Sequence, residues 1–318
     1  MSSLRTTVIG CGGAGSNITA YLKDGVGETD FIDYLTIDTS DANKKDGIPF
    51  CHIKSAGSAG KNLSGAGGIR GENLKDILPG CEKFVDDKGL HTHDGVVVLI
   101  FSTSGGSGNV IAAGLLHTLL KYDIAVYCIY VHDNSNAEFA KNCVRATETL
   151  FKISQQYNVV LPVNYFVNTI DKDIVNKSIL DEFKMIMKFH DTDNLTEIDN
   201  QDMKFFYQSI KYTANPIPSG VVAIAVTDIK HVENAIEKHE VLVARSITNS
   251  DFDPIKVGQI AQNKNGTSNC GTEVALLLLN NFDKQYNLVK SAFAIYDKPI
   301  KKFSIDEDVE VSNGGIVI

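Results

Sequence analysis

No stretch of this 318-residue chain approaches the roughly 20 consecutive apolar residues that a membrane-spanning helix needs. The opening residues, Met1-Ser-Ser-Leu-Arg5, carry no secretory apolar segment, so a cytoplasmic protein is expected. Basic excess is missing too: 30 Lys and Arg stand against 39 Asp and Glu, a net charge of −9. General nucleic-acid and membrane-surface binders are usually basic, and neither partner is expected. The six cysteines, at 11, 51, 81, 128, 143 and 270, include no C-x-x-C pair. Reduced thiols are expected and a zinc site is not. Also lacking is any G-x-x-x-x-G-K-[ST], which excludes the P-loop nucleotide-binding class.

What is present is an ordinary globular composition, 43% hydrophobic and 22% charged, in a length that suits one large or two modest domains. Short apolar runs alternate with helical patterns through the first half. Strands are expected at Leu4–Ile9, Tyr34–Asp38, Phe50–Lys54, Val96–Phe101, Ile124–Val131 and Val163–Val167. Helices are expected at Ile18–Lys23, Ile111–Leu120 and Ala137–Gln156. The runs at 96–101 and 124–131 have the unbroken apolar character of strands buried on both faces. This rhythm predicts an α/β fold with a doubly wound, Rossmann-like parallel sheet, whose ligands bind at the C-terminal strand ends.

A long helix is expected over Lys172–His190, with Val175, Ile179, Phe183 and Ile186 on one stripe and His190 serving the dipole at its end. Beyond it, Met203–Tyr212 and His231–Lys238 read as helices, and Val221–Val226, Val241–Ala244, Glu273–Leu279 and Ser291–Tyr296 as strands. The expected organisation is a nucleotide-binding domain over 1–170, a connecting helix over 171–190, a smaller α/β domain over 191–298 and a tail over 299–318. That tail carries Asp306, Glu307, Asp308 and Glu310 and reads as exposed and acidic.

Glycines at 10, 12 and 15 in Val8-Ile-Gly-Cys-Gly-Gly-Ala-Gly-Ser-Asn17 fit G-x-G-x-x-G between a strand and a helix. Such a turn offers backbone N–H groups and a helix N-terminus to a phosphate. Asp38, ending the second strand, lies where a dinucleotide fold keeps its ribose-binding acid. Alone, this pair points to a nicotinamide or flavin enzyme. A second loop, Ser102-Thr-Ser-Gly-Gly-Ser-Gly-Asn109, changes the reading. Gly105, Gly106 and Gly108 let the backbone approach an anion, and Ser104 and Ser107 add hydroxyl donors. Two anion loops on one sheet suit a mononucleotide polyphosphate gripped from both sides. A third, Asn62-Leu-Ser-Gly-Ala-Gly-Gly-Ile-Arg70, is either a cover for the terminal phosphate, through Ala66, Gly67 and Gly68, or a surface loop.

Together these loops resemble the tubulin/FtsZ superfamily of polymerising GTPases, over most of the chain from Val8 to about Met203. Val8–Asn17 is similar to the family's first phosphate loop, with Gly10, Cys11, Gly12, Gly13, Gly15 and Asn17 as the matching positions. Ile37-Asp-Thr-Ser-Asp-Ala42 resembles its second loop and Asn62–Gly68 its third. Ser104-Gly-Gly-Ser-Gly-Asn-Val110 resembles the signature G-G-G-T-G-[ST]-G, departing at Ser104, Ser107, Asn109 and Val110. Ile198-Asp-Asn-Gln-Asp-Met203 resembles the acidic loop that reaches the next subunit's nucleotide. The resemblance makes Asp199 and Asp202 catalytic candidates that hold and polarise the attacking water, with Mg²⁺ carried mainly by the GTP phosphates. The plainer alternative is a helix N-terminus with Asp199 as cap and Asp202 as its N3 acid. Asn168 resembles the family's guanine-contacting Asn; Asn176 is a second candidate, or merely part of an exposed helix face.

The short chain and its acidic end look most like the phage tubulins of the PhuZ group. That resemblance implies a GTP/GDP-binding, head-to-tail homopolymer in an infected bacterium, its acidic tail contacting a neighbouring subunit and its filament positioning phage cargo. A cell-division or plasmid-partition filament, an NAD(P)-dependent oxidoreductase and a non-catalytic nucleotide sensor are the alternatives. His91 and His93 sit in a polar loop, read as solvated, and no third metal ligand accompanies them.

Overall fold

The computed structural model describes residues 4–54, 74–168, 171–190, 207–208, 219–228, 241–246, 273–278 and 281–296. Six strands and their helices alternate up to residue 167: β1 (Thr6–Cys11), α1 (Gly12–Val26), β2 (Ile32–Asp38), β3 (Phe50–His52), α2 (Leu74–Asp87), β4 (Val96–Ser102), α3 (Gly108–Lys121), β5 (Ala125–His132), α4 (Ala137–Gln156) and β6 (Val160–Val167). Then come α5 (Lys172–His190), β7 (Gly220–Asp228), β8 (Val241–Ser246), β9 (Glu273–Leu278) and α6 (Asn281–Tyr296). All nine strands form one sheet, in the order β3-β2-β1-β4-β5-β6-β7-β9-β8. The first seven are parallel; β9 runs antiparallel to β7, and the edge strand β8 runs antiparallel to β9. The chain goes outward through β2 and β3, then returns to lay β4 on the other side of β1. A crevice therefore opens between the C-terminal ends of β1 and β4, where such sheets bind ligands.

The unbroken apolar strands are explained by helices on both faces. Val8, Val98, Ile100, Tyr127 and Ile129 pack against Ile18 and Leu22 of α1 and Ile179, Phe183 and Ile186 of α5. Their neighbours Ile9, Val97, Leu99, Phe101, Val126 and Cys128 pack against Ile77 and Phe84 of α2, Ile111 and Leu115 of α3, and Leu150 of α4. The period-2 alternation thus separates two apolar faces. Val175, Ile179, Phe183 and Ile186 are all buried, as the stripe on α5 requires.

Three expectations need correction. Ser291–Tyr296 is the last part of helix α6, not a strand. A six-residue apolar run has no periodicity that separates strand from buried helix, and its surroundings decide. Helix α2 has no counterpart among the expected elements, and Pro79-Gly80 lies in its middle. The helix stands because Gly80 lets it press on Ile53, whose Cγ2 would lie 2.7 Å from an added Cβ. His190 ends α5 but is fully buried, and burial pushes its pKa down to about 3, so it carries no charge for the dipole. The expected helices at 203–212 and 231–238 lie mostly or wholly outside the described residues. Five cysteines, Cys11, Cys51, Cys81, Cys128 and Cys143, are free thiols. Among the described residues no helix is long and apolar enough to cross a membrane.

Burial also lowers the pKa of His132, to about 4. Both imidazoles titrate near 6.5 when exposed, so between that pH and their folded values the unfolded chain binds more protons. Their contribution to stability is complete above pH 6.5 and is lost as the pH falls below it. The melting temperature is expected to drop between pH 7.5 and 5, and His190→Gln is expected to flatten that slope. A folded His190→Gln variant with the wild-type slope would remove His190 from the account.

Candidate functional site

The crevice between β1 and β4 is formed by two strand-to-helix turns. At the first, Cys11 ends β1 and α1 starts immediately at Gly12, six residues before the expected start at Ile18. Most of the glycine-rich stretch is therefore the first turn of a helix rather than a loop before it. At the second, the segment 103–107 leads from β4 into α3, which starts at Gly108. Neither helix has a side-chain cap or an acidic residue in its first turn. The contrast with α4 is direct: Asn136 accepts from the Phe139 N–H at 2.9 Å and Glu138 sits in the first turn. Helices α1 and α3 thus lack the side-chain cap and first-turn acid that α4 has, an arrangement that leaves first-turn N–H groups available to an anion.

The two turns touch through backbone. Gly12 has φ +71°, and a Cβ there would lie 2.6 Å from the Gly108 Cα. A Cβ on Gly108 would meet the Cys11 carbonyl oxygen at 2.6 Å. Gly10 and Gly15 set α1 against the sheet. A Cβ on Gly15 would fall 2.2 Å from the Ile100 carbonyl, and one on Gly10 2.6 Å from the Gly15 carbonyl. Gly13 faces the Asn43 amide, while nothing lies within 4 Å of a Cβ on Gly105. Asn17 is on the exposed side of α1.

The second turn is held from beneath by amide side chains. Asn109 Nδ2 donates to the carbonyls of Thr103 (2.9 Å) and Gly105 (2.5 Å), and Asn142 Nδ2 to that of Ser104 (3.0 Å). The Thr103 and Ser104 N–H groups bond to the Val131 carbonyl and Ser102 Oγ, which leaves those from Gly105 to Ser107 as the loop's candidates to meet an anion. Ser102 Oγ and Ser104 Oγ are 2.7 Å apart. Thr103 Oγ1 lies 2.7 Å from His132 Nδ1 and also donates to the Val131 carbonyl, anchoring the loop to β5.

Asp38 is buried, with 1% of its surface exposed. Its Oδ1 accepts from the Thr39 N–H (2.7 Å) and the Ser107 hydroxyl (3.1 Å), and its Oδ2 from Asn43 Nδ2 (2.5 Å). The carboxylate ties the turn after β2 to the second glycine turn. At the far side of the crevice, Asn168 follows β6. Its N–H donates to the His132 carbonyl (2.6 Å) and its Nδ2 to Asp133 Oδ2 (3.1 Å). Burial raises the Asp133 pKa, but hydrogen bonds from Ser135 and Asn168 and the charge of Lys172 outweigh it and hold the carboxyl below its usual value. Asn176 is half-buried on α5, beside the core residue Val175.

The structure thus brings together Gly10, Cys11, Gly12, Gly13, Gly15, Asp38 and 104–109. Ala66, Gly67, Gly68, Asp199 and Asp202 lie outside the described residues. Asn43, Asp133 and Asn142 escape sequence reasoning. Asn142 sits inside a helix with no motif around it, and only the fold brings it under Ser104. Of the two loop histidines, His91 is exposed, but His93 is half-buried and burial lowers its pKa, which corrects the solvated reading. Among the described residues no group of three or more His, Cys, Asp or Glu side chains is placed to hold a metal. A cavity of about 830 Å³ lies at the N-terminal strand edge, lined by Arg5, Lys23, Lys88 and His93 among others. It includes none of the glycine-turn residues and mixes both charge signs, so it does not suit the phosphates of a nucleotide.

Asn109→Ala would release the carbonyls of Thr103 and Gly105 inside the protein. It is expected to cost about 1–3 kcal/mol of stability and to weaken binding of a polyphosphate probe at this turn at least about tenfold. Thermal melting and calorimetric titration check both; unchanged affinity would separate this turn from ligand binding.

No family model matches the chain, and neither does any curated protein. Solved structures do. TubZ of bacteriophage PhiKZ, solved as a protofilament, is 18% identical over 99% of both chains, with a TM-score of 0.69. The phage tubulin PhuZ, solved with GDP, is 17% identical over 99% of this chain and 100% of its own, also at 0.69. FtsZ of M. jannaschii is 19% identical over 71% of this chain and 66% of its own, at 0.54. At such identities the shared property is architecture: this chain has the tubulin/FtsZ fold, and it shares that fold with phage tubulins over nearly its whole length.

Proposed function

We propose that the protein is a GTP-binding and GTP-hydrolysing subunit of a head-to-tail filament, with a chemistry like that of phage tubulins. The observation that carries the reading is the pair of uncapped, acid-free helix N-termini meeting at Gly12 and Gly108. A polyphosphate placed there faces two dipole ends and two sets of backbone donors, and any Cβ at 12 or 108 would obstruct that approach. The cradle fits GTP. Mg²⁺, when bound, would be held by the phosphates and their waters and would neutralise their charge. Asp133 and Asn168, joined at the ends of β5 and β6, are placed to meet the base. A dinucleotide reading needs a free ribose acceptor at Asp38, and that carboxylate is engaged by Thr39, Asn43 and Ser107.

Hydrolysis is assigned to Asp199 and Asp202 by their likeness to the family's acidic loop. A carboxylate there takes the proton of the water that attacks the γ-phosphate, while the loop amides stabilise the charge that develops. Segment 191–206 departs from His190 and returns at Tyr207. His190 bonds to Thr6, at the opposite end of β1 from Gly12. Those anchors favour supply of the acids to the next subunit's nucleotide rather than to the subunit's own. On this reading 1–170 binds nucleotide, 171–190 connects, 191–298 completes the neighbouring site, and the acidic tail at 299–318 contacts an adjacent subunit. The filament positions phage cargo in the host cytoplasm.

Turnover per subunit is expected to rise steeply with protein concentration, because each site needs two subunits. Asp199→Ala or Asp202→Ala should leave GTP binding within about twofold of wild type and lower hydrolysis at least a hundredfold, with longer-lived filaments in light scattering. Normal turnover by assembled mutant filaments would refute the catalytic assignment.

A further inference from the structure

The residues that end β5 touch both the second glycine turn and the segment after β6. On one side, the Val131 carbonyl accepts from the Thr103 N–H at 3.0 Å and from the Thr103 hydroxyl at 3.2 Å. The same hydroxyl lies 2.7 Å from His132 Nδ1, so the turn is seated on β5. On the other side, the His132 carbonyl accepts from the Asn168 N–H at 2.6 Å, and Asp133 Oδ2 accepts from Asn168 Nδ2 at 3.1 Å. Strands β4, β5 and β6 are neighbours in the sheet. Adjacent strands lie about 4.8 Å apart, which sets Asn168 roughly 10 Å across the sheet from the strand that feeds the phosphate turn. That is a separation a nucleoside can span along the same edge of the sheet.

An asparagine amide taken alone is ambiguous, because one of its ends donates and the other accepts, and its partners decide which way it points. Here the partner is a carboxylate, which only accepts when ionised. Burial acts against the ionised form of Asp133, but hydrogen bonds from Ser135 and Asn168 and the charge of Lys172 outweigh it. The second carboxylate oxygen, Oδ1, accepts from the Ser135 N–H at 2.9 Å, so both oxygens are held. The atom of Asn168 that faces Asp133 is therefore Nδ2, and its Oδ1 is left on the opposite side of the amide. Asp133 thus turns an ambiguous amide into an acceptor. Both residues are half-buried, so neither is sealed from a ligand.

A base edge that meets an acceptor must bring a donor. Guanine carries N1–H and the N2 amino group side by side, and that amino group is a donor that adenine lacks. Adenine offers an N1 acceptor and a C–H at those places and would leave the Asn168 oxygen unpaired. A site built around a hydrogen bond rejects the analogue that cannot make it. We propose that Asp133 makes the site selective for guanine, by locking the Asn168 amide with its oxygen toward the base. The inference rests on the reading of the glycine turns as the phosphate site and of Asn168 as a base contact. Asp133 is a positioning residue: it acts through Asn168 and not on the phosphates.

Calorimetric titration with GTP, ITP and ATP, in Mg²⁺ and below the protein concentration that supports assembly, tests this. ITP differs from GTP only in lacking the amino group. The wild type is expected to bind GTP about tenfold more tightly than ITP and about a hundredfold more tightly than ATP. Asp133→Asn keeps the size of the side chain and removes its charge. The new amide can offer Asn168 either a donor or an acceptor, so Asn168 is free to turn over. The GTP-to-ATP and GTP-to-ITP ratios are then expected to fall, the first about tenfold, with the loss borne by GTP. A purely structural role would weaken all three nucleotides alike and leave both ratios at their wild-type values, which would overturn the proposal. Should Asp133→Asn not fold, Asp133→Ala is the second variant: it removes the carboxylate without a new partner and is expected to narrow the same ratios. Wild-type ratios in folded Asp133→Ala would overturn the proposal equally, as would a wild type that binds GTP and ITP alike. A wild type that binds none of the three defeats the nucleotide reading itself and the proposal with it, whereas guanine-selective wild type beside equally selective variants defeats only the role of Asp133.

Discussion

Two backbones meet at Gly12 and Gly108 with no side chain between them, and the rest of the site depends on that contact. It brings the first turns of α1 and α3 to the same point, so that two helix dipoles converge where an anion would sit. The convergence is costly without a ligand, since first-turn N–H groups go without side-chain partners. The chain nonetheless leaves both ends without caps while capping α4 in the usual way.

The cradle's shape is held by neutral amides and one carboxylate. Asn109 and Asn142 hold the loop carbonyls, and Asp38 joins Ser107 to Asn43. Side chains that fix a backbone from below leave its other side open, and the two amides do so without adding charge. This explains how Ser104, Ser107 and Asn109 can replace the residues of the family signature. Hydrogen-bonding side chains are retained at 107 and 109, and the glycines at 105, 106 and 108 are unchanged.

Strand β1 gives the molecule its polarity. Its C-terminal end carries the first glycine turn; at its N-terminal end Thr6 bonds to His190, the last residue of α5. The same geometry links the imidazole's burial to acid sensitivity, because protonating His190 would set a charge inside the apolar layer between sheet and helix.

The sequence by itself determined the α/β alternation, the bounds of α4 and α5, and the two anion turns. Periodicity and glycine spacing are local properties, and local properties survive in a string of letters. It did not determine that Ser291–Tyr296 is helical, that α2 runs through Pro79-Gly80, or that β7 joins β6 in one continuous sheet, because these follow from what each segment packs against. Sequence spacing named the glycines of the first turn but could not separate Gly15, which seats α1 on β4, from Gly12, which meets the second turn. That division is made by residues about a hundred positions away. Only tertiary structure decided that Asn142 supports Ser104, that Asp38 bonds to Ser107, and that His190 is a neutral, buried partner of Tyr207 rather than a cation at a helix end. Each of these depends on a contact between distant parts of the chain, and in a folded protein burial, not residue type, sets the charge and the partners of a side chain.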